Sequence, residues 1–208
     1  MSDLISLPPL SLYVHMPWCV RKCPYCDFNS HAAPGDEQGG VPEAAYISAL
    51  LQDLDQDLAD FPGAQAGERE LVSIFIGGGT PSLISPAGYA ALFTGLRQRL
   101  RFADDIEITL EANPGTVEQG LFQGYREVGI NRLSIGVQTF QTAQLKALGR
   151  IHSGDEAQRA AQSAREVGFS NFNLDLMHGL PGQSLQQALD DLRQAIALEP
   201  THLSWYQL

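Results

Sequence analysis

The chain has 208 residues, of which 44% are apolar, and its 13 Lys and Arg against 24 Asp and Glu give a formal net charge of −11. This length fits one α/β domain with a sizeable core, while the acidic balance argues against a nucleic-acid partner and against a polybasic membrane-binding patch. No apolar run approaches the roughly 18 residues of a transmembrane helix, and the segment before Tyr13 lacks the basic start and long apolar core of a signal peptide.

Short apolar runs alternate with segments of helical periodicity, which is typical of a parallel α/β sheet. Strands are predicted at Ser11–His15, Leu71–Gly77, Asp105–Glu111, Arg132–Gln138, Phe172–Met177 and His202–Gln207. Helices are predicted between them, at about 43–60, 86–100, 117–128, 155–167 and 185–198. Residues His31–Pro42 and Phe61–Glu70 carry the Pro, Gly and charged residues of exposed, mobile loops.

Several helices have specific start signals. Ser85 before Pro86 predicts an N-cap followed by proline at the first helical position. A Ser or Thr with Glu or Gln three residues later predicts a capping box at Thr116, at Ser153 and at Ser184. In the last helix the apolar residues at helical spacing predict one buried face. They are Leu185, Leu189, Leu192 and Ile196.

The number of strand–helix (βα) units that fit in the chain favours a partial barrel. A (β/α)8 barrel uses about 31 residues per unit, so this chain is too short for eight, and a partial (β/α)6 barrel or an open doubly wound sheet remains. The middle strands carry apolar residues on one face and polar residues on the other, whereas strands covered by helices on both faces read as continuous apolar runs. The polar faces are Glu107, Thr109 and Glu111, then Ser134, Gly136 and Gln138, then Asn173 and Asp175. We therefore predict an α/β fold, a partial (β/α)6 TIM-like barrel whose open lumen holds a large polar ligand.

Cys19, Cys23 and Cys26 follow the first strand at the end where parallel barrels place their chemistry. Three cysteines cannot all pair within one chain, so a secreted disulfide scaffold is excluded and a reducing cytosol is expected. Structural cysteines are one alternative, and a zinc site completed by His15 or His31 is another, although structural zinc usually takes paired ligands that this sequence lacks. An iron–sulfur cluster fits better, and three thiolates would leave one iron of a [4Fe–4S] cluster free for a small-molecule ligand.

The C-x3-C-x2-C spacing, with Tyr25 before the last cysteine, resembles the radical S-adenosylmethionine (SAM) superfamily. Further motifs resemble its oxygen-independent coproporphyrinogen III oxidase group and, within that group, the HemW heme-chaperone branch. They are Tyr13-Val-His-Met-Pro-Trp-Cys19, Gly77-Gly-Gly-Thr-Pro81, Glu111-Ala-Asn-Pro114, Gly136-Val-Gln-Thr-Phe140, Leu148-Gly-Arg-Ile-His152 and Asp175-Leu-Met-His-Gly-Leu-Pro181. The resemblance implies that residues 1–208 are the radical SAM core domain, and that the C-terminal region of the family, with its heme-contacting motif, lies beyond them.

The resemblance also implies the cofactors. Cys19, Cys23 and Cys26 would hold a [4Fe–4S] cluster whose fourth iron binds SAM, and reductive cleavage of SAM would give methionine and a 5′-deoxyadenosyl radical. The implied SAM contacts are Tyr13, Tyr25, Gly78, Gly79, Thr80, Glu111, Gln138, Arg150 and Asp175. Among these, Glu111 would accept hydrogen bonds from the ribose hydroxyls and Arg150 would pair with the SAM carboxylate. The remaining histidines are interpreted as surface or core residues, and they are His31, His152, His178 and His202.

Two differences separate this chain from the oxidase branch. That branch has a fourth cysteine two positions after the third, where this chain has Phe28, and a longer segment before the motif tyrosine. Both differences favour a cytoplasmic heme chaperone, with heme or a porphyrin as ligand and with a heme-accepting protein and an electron donor as partners. The alternatives are an oxygen-independent coproporphyrinogen III oxidase that makes protoporphyrinogen IX, a radical SAM enzyme with another substrate, and a zinc-binding or structural module.

Overall fold

The structure is a computed structural model that describes residues 8–35, 40–61 and 69–208, the side chains of 116–118 excepted. The predicted loops His31–Pro42 and Phe61–Glu70 therefore lie partly outside the described residues, at 36–39 and 62–68. Within the first loop, His31–Ala32 forms a short strand rather than an irregular connection.

The strands are β1 (Leu10–Met16), β2 (Trp18–Cys19), β3 (His31–Ala32), β4 (Glu70–Gly78), β5 (Arg101–Ala112), β6 (Arg132–Gln138), β7 (Phe172–His178) and β8 (His202–Gln207). The helices are α1 (Glu43–Asp60), α2 (Pro86–Arg97), α3 (Thr116–Glu127), α4 (Thr142–Ala147), α5 (Gly154–Glu166) and α6 (Leu185–Ala197), with a short 3-10 helix at Pro81–Leu83.

The main sheet has six parallel strands in the order β1-β4-β5-β6-β7-β8. Each strand is added beside the one that precedes it in this sheet, always at the same edge. A doubly wound sheet reverses direction at a switch point, and this sheet does not. The predicted partial (β/α)6 barrel is therefore confirmed.

Two elements differ from the predictions in length. Strand β5 begins at Arg101 rather than Asp105, because its first residues pair with the start of β4, where Arg101 also forms a salt bridge of 2.8 Å with Glu70. Helix α4, Thr142–Ala147, was not predicted, since six residues are too few to display helical periodicity.

Most predicted helix caps are confirmed. The Ser85 hydroxyl accepts the Gly88 N–H at 3.0 Å, and capping boxes are present at Ser153 and Ser184. The predicted cap at Thr116 is wrong. Gly115 already has the extended backbone of an N-cap, so α3 begins one residue earlier, at Thr116 itself.

The predicted buried face of α6 is only partly confirmed. Leu189 and Leu192 are half-buried, and Leu192 packs against the core, but Leu185 and Ile196 are exposed. The fully buried residues of α6 are Ala188, Asp191 and Ala195. Small side chains let the helix approach β7 closely, and the carboxylate of Asp191 is hydrogen-bonded within the fold, so this face does not need large apolar residues.

The core lies between the sheet and the helices. The apolar face of the sheet is buried at Ile74, Ile76, Ile108, Leu110, Leu133, Ile135, Leu174 and Leu176. Since side chains alternate along a strand, this packing turns the polar residues of the same strands to the lumen. Among the described residues, no helix is long and apolar enough to cross a membrane.

Candidate functional site

A cavity of about 460 Å³ opens at the carboxyl ends of the parallel strands, which is the end at which parallel barrels carry their sites. All predicted site residues except Tyr13 line it. They are Cys19, Cys23, Tyr25, Cys26, Gly78, Gly79, Thr80, Glu111, Gln138, Arg150 and Asp175. The fold therefore brings residues from distant parts of the sequence together around one cavity.

Tyr13 lies at the margin of this cavity rather than in its lining, and its side chain is 56% exposed. Its hydroxyl is 3.0 Å from His15 Nδ1, and its ring stacks on Phe75 with centroids 6.3 Å apart. Partial burial, and then the charge of Glu111, raise the pKa of the Tyr13 hydroxyl. Contact between Tyr13 and a cofactor stays a prediction.

The three cysteines lie in residues 19–30, which we call the cysteine loop. This loop is closed by the pairing of β2 with β3. Inside it, the Lys22 ammonium donates to the carbonyl oxygens of Phe28 at 3.2 Å and Ser30 at 3.1 Å. From β1, His15 Nε2 contacts the Asn29 carbonyl oxygen at 2.7 Å. These contacts hold the loop over the ends of the strands.

The donor set bears on the choice between an iron–sulfur cluster and a single zinc ion. Cys19, Cys23 and Cys26 are free thiols that face one cavity, yet no three Cys, His, Asp or Glu side chains of the described residues converge where one metal ion could bind. Thiolates on one tetrahedral zinc lie about 3.8 Å apart, given a Zn–S bond of about 2.3 Å, whereas cluster thiolates bind different irons. His15 also has hydrogen-bond partners at both ring nitrogens. The donor set therefore fits a [4Fe–4S] cluster better than a single zinc ion.

The segment Gly78–Thr80 fastens the cysteine loop to the sheet. Its successive N–H groups donate to the Glu111 carboxylate at 3.0 Å, the Met16 carbonyl at 2.6 Å and the Trp18 carbonyl at 2.6 Å. A Cβ on Gly79 would lie 2.5 Å from the Trp18 carbonyl oxygen, so only glycine allows this approach. Because these N–H groups are used within the protein, a ligand would meet the carbonyl oxygens of the segment or the Thr80 hydroxyl.

Glu111 is a half-buried carboxyl group at the end of β5. Burial raises its pKa to about 7, the hydrogen bond from the Gly78 N–H opposes this, and the nearby Asp175 charge adds to it. Near neutral pH the group is therefore divided between its protonated and ionised forms.

Arg150 is the principal cation of the cavity. Its Nη2 donates to the Asn113 side-chain oxygen and to the Gly136 carbonyl oxygen, both at 2.7 Å. Its Nη1 lies 3.8 Å from Cys23 Sγ. One guanidinium thus joins the ends of β5 and β6 to the cysteine loop.

The turn that carries Arg150 also packs against this loop. Gly149 has φ +71°, and a Cβ there would lie 2.8 Å from Pro24 Cδ. Beside it, burial raises the pKa of Tyr25 to about 12, although the Arg150 charge lowers it. The cysteine loop is therefore held from both sides, by the β4 glycines and by this turn.

Gln138, at the end of β6, has φ +67°, a conformation that non-glycine residues rarely adopt. The Tyr206 hydroxyl donates to its Oε1 at 2.7 Å. The next two residues are held from α6, since the Asp191 carboxylate accepts the Thr139 hydroxyl at 2.6 Å and the Phe140 N–H at 2.9 Å. Strained backbone at a ligand cavity is typical of functional sites.

Asp175 on β7 belongs to a polar network across the lumen. Its carboxylate accepts the Ser134 hydroxyl at 2.9 Å and the Asn173 amide at 2.8 Å. The Asn173 amide nitrogen also lies 3.0 Å from the Ser204 hydroxyl of β8. Because one face of β6, β7 and β8 contributes to it, the network sets the polar character of the lumen.

Further polar residues line the cavity without having been predicted from the sequence, among them Arg21, Asn113, Ser204 and Tyr206. Asn113 lies two positions after Glu111, in the Glu111-Ala-Asn-Pro114 motif. Ser204 and Tyr206 alternate along β8, so that the alternation of polarity seen in the middle strands also predicts their place on the lumen face.

The remaining histidines lie at surface or core positions, as interpreted from the sequence. His31 and His202 are exposed, and His178 is half-buried against Trp205. Burial, and then the charge of Arg150, lower the pKa of His152 to about 4, and its Nε2 is 3.1 Å from the Val137 carbonyl oxygen. His152 is therefore a neutral core residue at physiological pH.

This fold and this site define a class of protein. Residues 13–195 match the radical SAM superfamily, and the chain belongs to that superfamily, whose cofactors are a [4Fe–4S] cluster and SAM. Within it the chain is 59% identical to "Heme chaperone HemW" of Escherichia coli over 205 residues, 99% of this chain and 52% of that protein. It is 58% identical to the Haemophilus influenzae protein of the same name, over 98% of this chain and 52% of that protein. The predicted resemblance to the HemW branch is therefore confirmed.

A solved structure supports the same grouping. The coproporphyrinogen III oxidase HemN of Escherichia coli, a radical SAM enzyme, superposes with a TM-score of 0.82 and 32% identity, over 96% of this chain and 44% of that chain. The chain thus spans about half the length of the curated relatives it matches.

Proposed function

We propose that this chain is the SAM- and cluster-binding part of a heme chaperone of the HemW type. The observation that carries the proposal is the convergence of three thiols, two arginines and two carboxylates on one cavity at the carboxyl ends of the strands. Cys19, Cys23 and Cys26 would hold the [4Fe–4S] cluster, which leaves one iron for SAM. When bound, the two cofactors supply one-electron reductive cleavage of the sulfonium.

SAM has a carboxylate, an amino group and ribose hydroxyls, and the cavity offers a partner for each. Arg150 lies beside Cys23 and so suits the carboxylate of a molecule bound at the cluster. Glu111 and Asp175 offer acceptors for hydroxyls. Gly78 and Gly79 offer carbonyl oxygens to an amino group. Tyr25, Thr80 and Gln138 complete the lining, and Tyr13 would contact SAM from the margin.

Heme or a porphyrin is the proposed cargo, because relatives at 59% and 58% identity carry the name heme chaperone. The proposal includes a heme-accepting protein, an electron donor for the cluster and a cytoplasmic location. Residues 1–208 are proposed as the radical SAM core. The oxidase alternative is less well supported, because the related oxidase is 32% identical and because Phe28 occupies the position of the fourth oxidase cysteine.

Anaerobic reconstitution tests the cofactor part of the proposal. We expect about four irons and four sulfides per chain, and SAM binding that perturbs the EPR signal of the reduced cluster. Incubation with coproporphyrinogen III should then yield no protoporphyrinogen IX, whereas heme titration of the full-length protein should show binding. Decarboxylation would favour the oxidase, and zinc in place of iron would overturn the cluster.

A further inference from the structure

We infer that Tyr206 is a positioning residue that fixes the orientation of the Gln138 side-chain amide toward the cavity. The inference rests on the proposed function, in which Gln138 contacts SAM. It adds a residue of β8 to a site whose other proposed cofactor contacts come from earlier strands, from the cysteine loop and from the turn that carries Arg150.

The geometry of the amide carries the argument. The Tyr206 hydroxyl donates to Gln138 Oε1 at 2.7 Å, so the amide oxygen is occupied on the β8 side. The amide Nε2 then points over Gly136, where a Cβ would lie 3.1 Å from Nε2 and 3.4 Å from Arg150 Nη2. Because Gly136 has no side chain, the donor end of the amide is open to the cavity.

The backbone of Gln138 is fixed separately. Its φ of +67° is maintained by the next turn, which Asp191 holds through Thr139 and Phe140. With the backbone held, the main remaining freedom of Gln138 is rotation of its side chain. A hydrogen bond to Oε1 restricts that rotation and fixes which end of the amide is Oε1 and which is Nε2. Gln138 therefore presents the Nε2 donor to an acceptor group of SAM.

Tyr206 is suited to this role by its own surroundings. It lines the cavity, and burial raises the pKa of its hydroxyl above the usual value, with the charge of Asp175 acting in the same direction. The hydroxyl therefore keeps its proton across the physiological range and remains a donor to Gln138.

A double-mutant cycle on the cluster-loaded chain tests the inference, with SAM affinity measured anaerobically and the SAM-induced EPR change as a second readout. The variants are Tyr206→Phe, Gln138→Ala and the two combined. Loss of one neutral hydrogen bond predicts roughly 2- to 12-fold weaker SAM binding for Tyr206→Phe. In the Gln138→Ala background the same change should have no effect, because Tyr206 acts through Gln138.

Tyr125→Phe is the matched control. It removes the hydroxyl of a fully buried tyrosine, which donates to the Ser82 and Ile84 carbonyl oxygens outside the main cavity, and it should leave SAM affinity unchanged. Additive effects of Tyr206→Phe and Gln138→Ala, or no effect of Tyr206→Phe, would overturn the inference alone. Unchanged affinity in Gln138→Ala would overturn the inference together with the proposed SAM contact, while failure of the parent chain to bind SAM would count against the proposed function itself.

Discussion

The carboxylate of Asp191, in the middle of α6, accepts the Phe140 backbone N–H at 2.9 Å. The bond connects a helix on the outside of the barrel to the turn that follows β6. Asp191 is fully buried, and burial raises the pKa of its carboxyl group although its hydrogen bonds oppose the shift. The buried carboxylate of Asp191 therefore accepts hydrogen bonds from the turn instead of from water.

Replacement of Asp191 by alanine should therefore destabilise the protein. The Phe140 N–H and the Thr139 hydroxyl would lose their acceptor, which predicts a loss of about 1–3 kcal/mol in the free energy of unfolding. Urea titration of the cluster-free chain measures it. Asp190→Ala is the matched control, because the carboxylate of this partly exposed neighbour contacts the surface side chains of Gln186 and Arg193 and its loss should change stability by less than about 0.5 kcal/mol. Equal effects of the two variants would contradict the role of Asp191.

Each cysteine of the triad should be required for the cluster. Cys19→Ala, Cys23→Ala and Cys26→Ala each leave two thiolates, so we expect iron and sulfide content near zero after anaerobic reconstitution. Phe28→Leu, in the same loop but without a thiol, should retain the cluster. Full visible absorption and a full EPR signal in any single cysteine variant would contradict the assignment of these three residues as the cluster ligands.

Arg150 should contribute to SAM binding through charge and geometry. Arg150→Met removes a charge-assisted contact, for which we expect about 10- to 150-fold weaker SAM binding, from roughly 1.5–3 kcal/mol, with iron content unchanged. Calorimetric titration with SAM measures the change. Arg193→Met removes a cation from the exposed face of α6 and should bind SAM normally. Identical SAM isotherms for both variants would show that the assignment of Arg150 is wrong.

The buried carboxyl of Glu111 should make stability depend on pH. Its pKa in the fold is about 7, above the ordinary value of 4.5, so the folded state binds this proton more tightly than the unfolded state. The stabilisation is then complete below pH 4.5 and is lost progressively as the pH rises from 4.5 through about 7, by roughly 3 kcal/mol in total. Urea unfolding of the cluster-free chain between pH 5 and 8 follows this loss.

Glu111→Gln should flatten that decline, since the amide does not titrate. Glu166→Gln, which removes an exposed carboxylate of α5, should leave the decline in place. A Glu111→Gln profile that parallels the parent between pH 5 and 8 would refute the raised pKa.

Gly79 should not tolerate a side chain. In Gly79→Ala the new Cβ would meet the Trp18 carbonyl oxygen at 2.5 Å, so the cysteine loop must move away from β4. We expect a lower melting temperature and incomplete cluster assembly. Gly120→Ala is the matched control, because a Cβ on this helical glycine has open space and should stabilise α3 by about 0.5–1 kcal/mol. A Gly79→Ala protein with parental stability and iron content would contradict the close approach.

Alternation of polarity along the strands was the most informative property of the sequence. It assigned Glu111, Gln138 and Asp175 to one face of the sheet, and all three line the cavity. The argument succeeds because side-chain direction in a strand follows from covalent geometry alone. The same rule would have added Tyr206.

The prediction failed where tertiary packing decides. Helical spacing proposed Leu185 and Ile196 for the buried face of α6, yet the structure buries Asp191 between two alanines. The reason is a hydrogen bond to a distant turn, which no local pattern in α6 reveals. The positive φ of Gln138 is supported by a local turn, in which the Thr139 N–H donates to the Val137 carbonyl oxygen at 2.9 Å, and by contacts from α6 to the following residues.

The three N–H groups of Gly78–Thr80 all donate to protein acceptors, which are the Glu111 carboxylate and the Met16 and Trp18 carbonyl oxygens. Hydrogen bonds within the protein therefore support the shape of the cysteine loop, whereas a zinc finger is unfolded until metal arrives. We expect iron–sulfur repair to act on an intact receptor. If oxygen destroys the cluster, we expect the chain to stay folded and able to bind a new cluster, and proteases that act on unfolded protein should not degrade it. The lifetime of the chain in a cell would then not depend on the lifetime of its cluster.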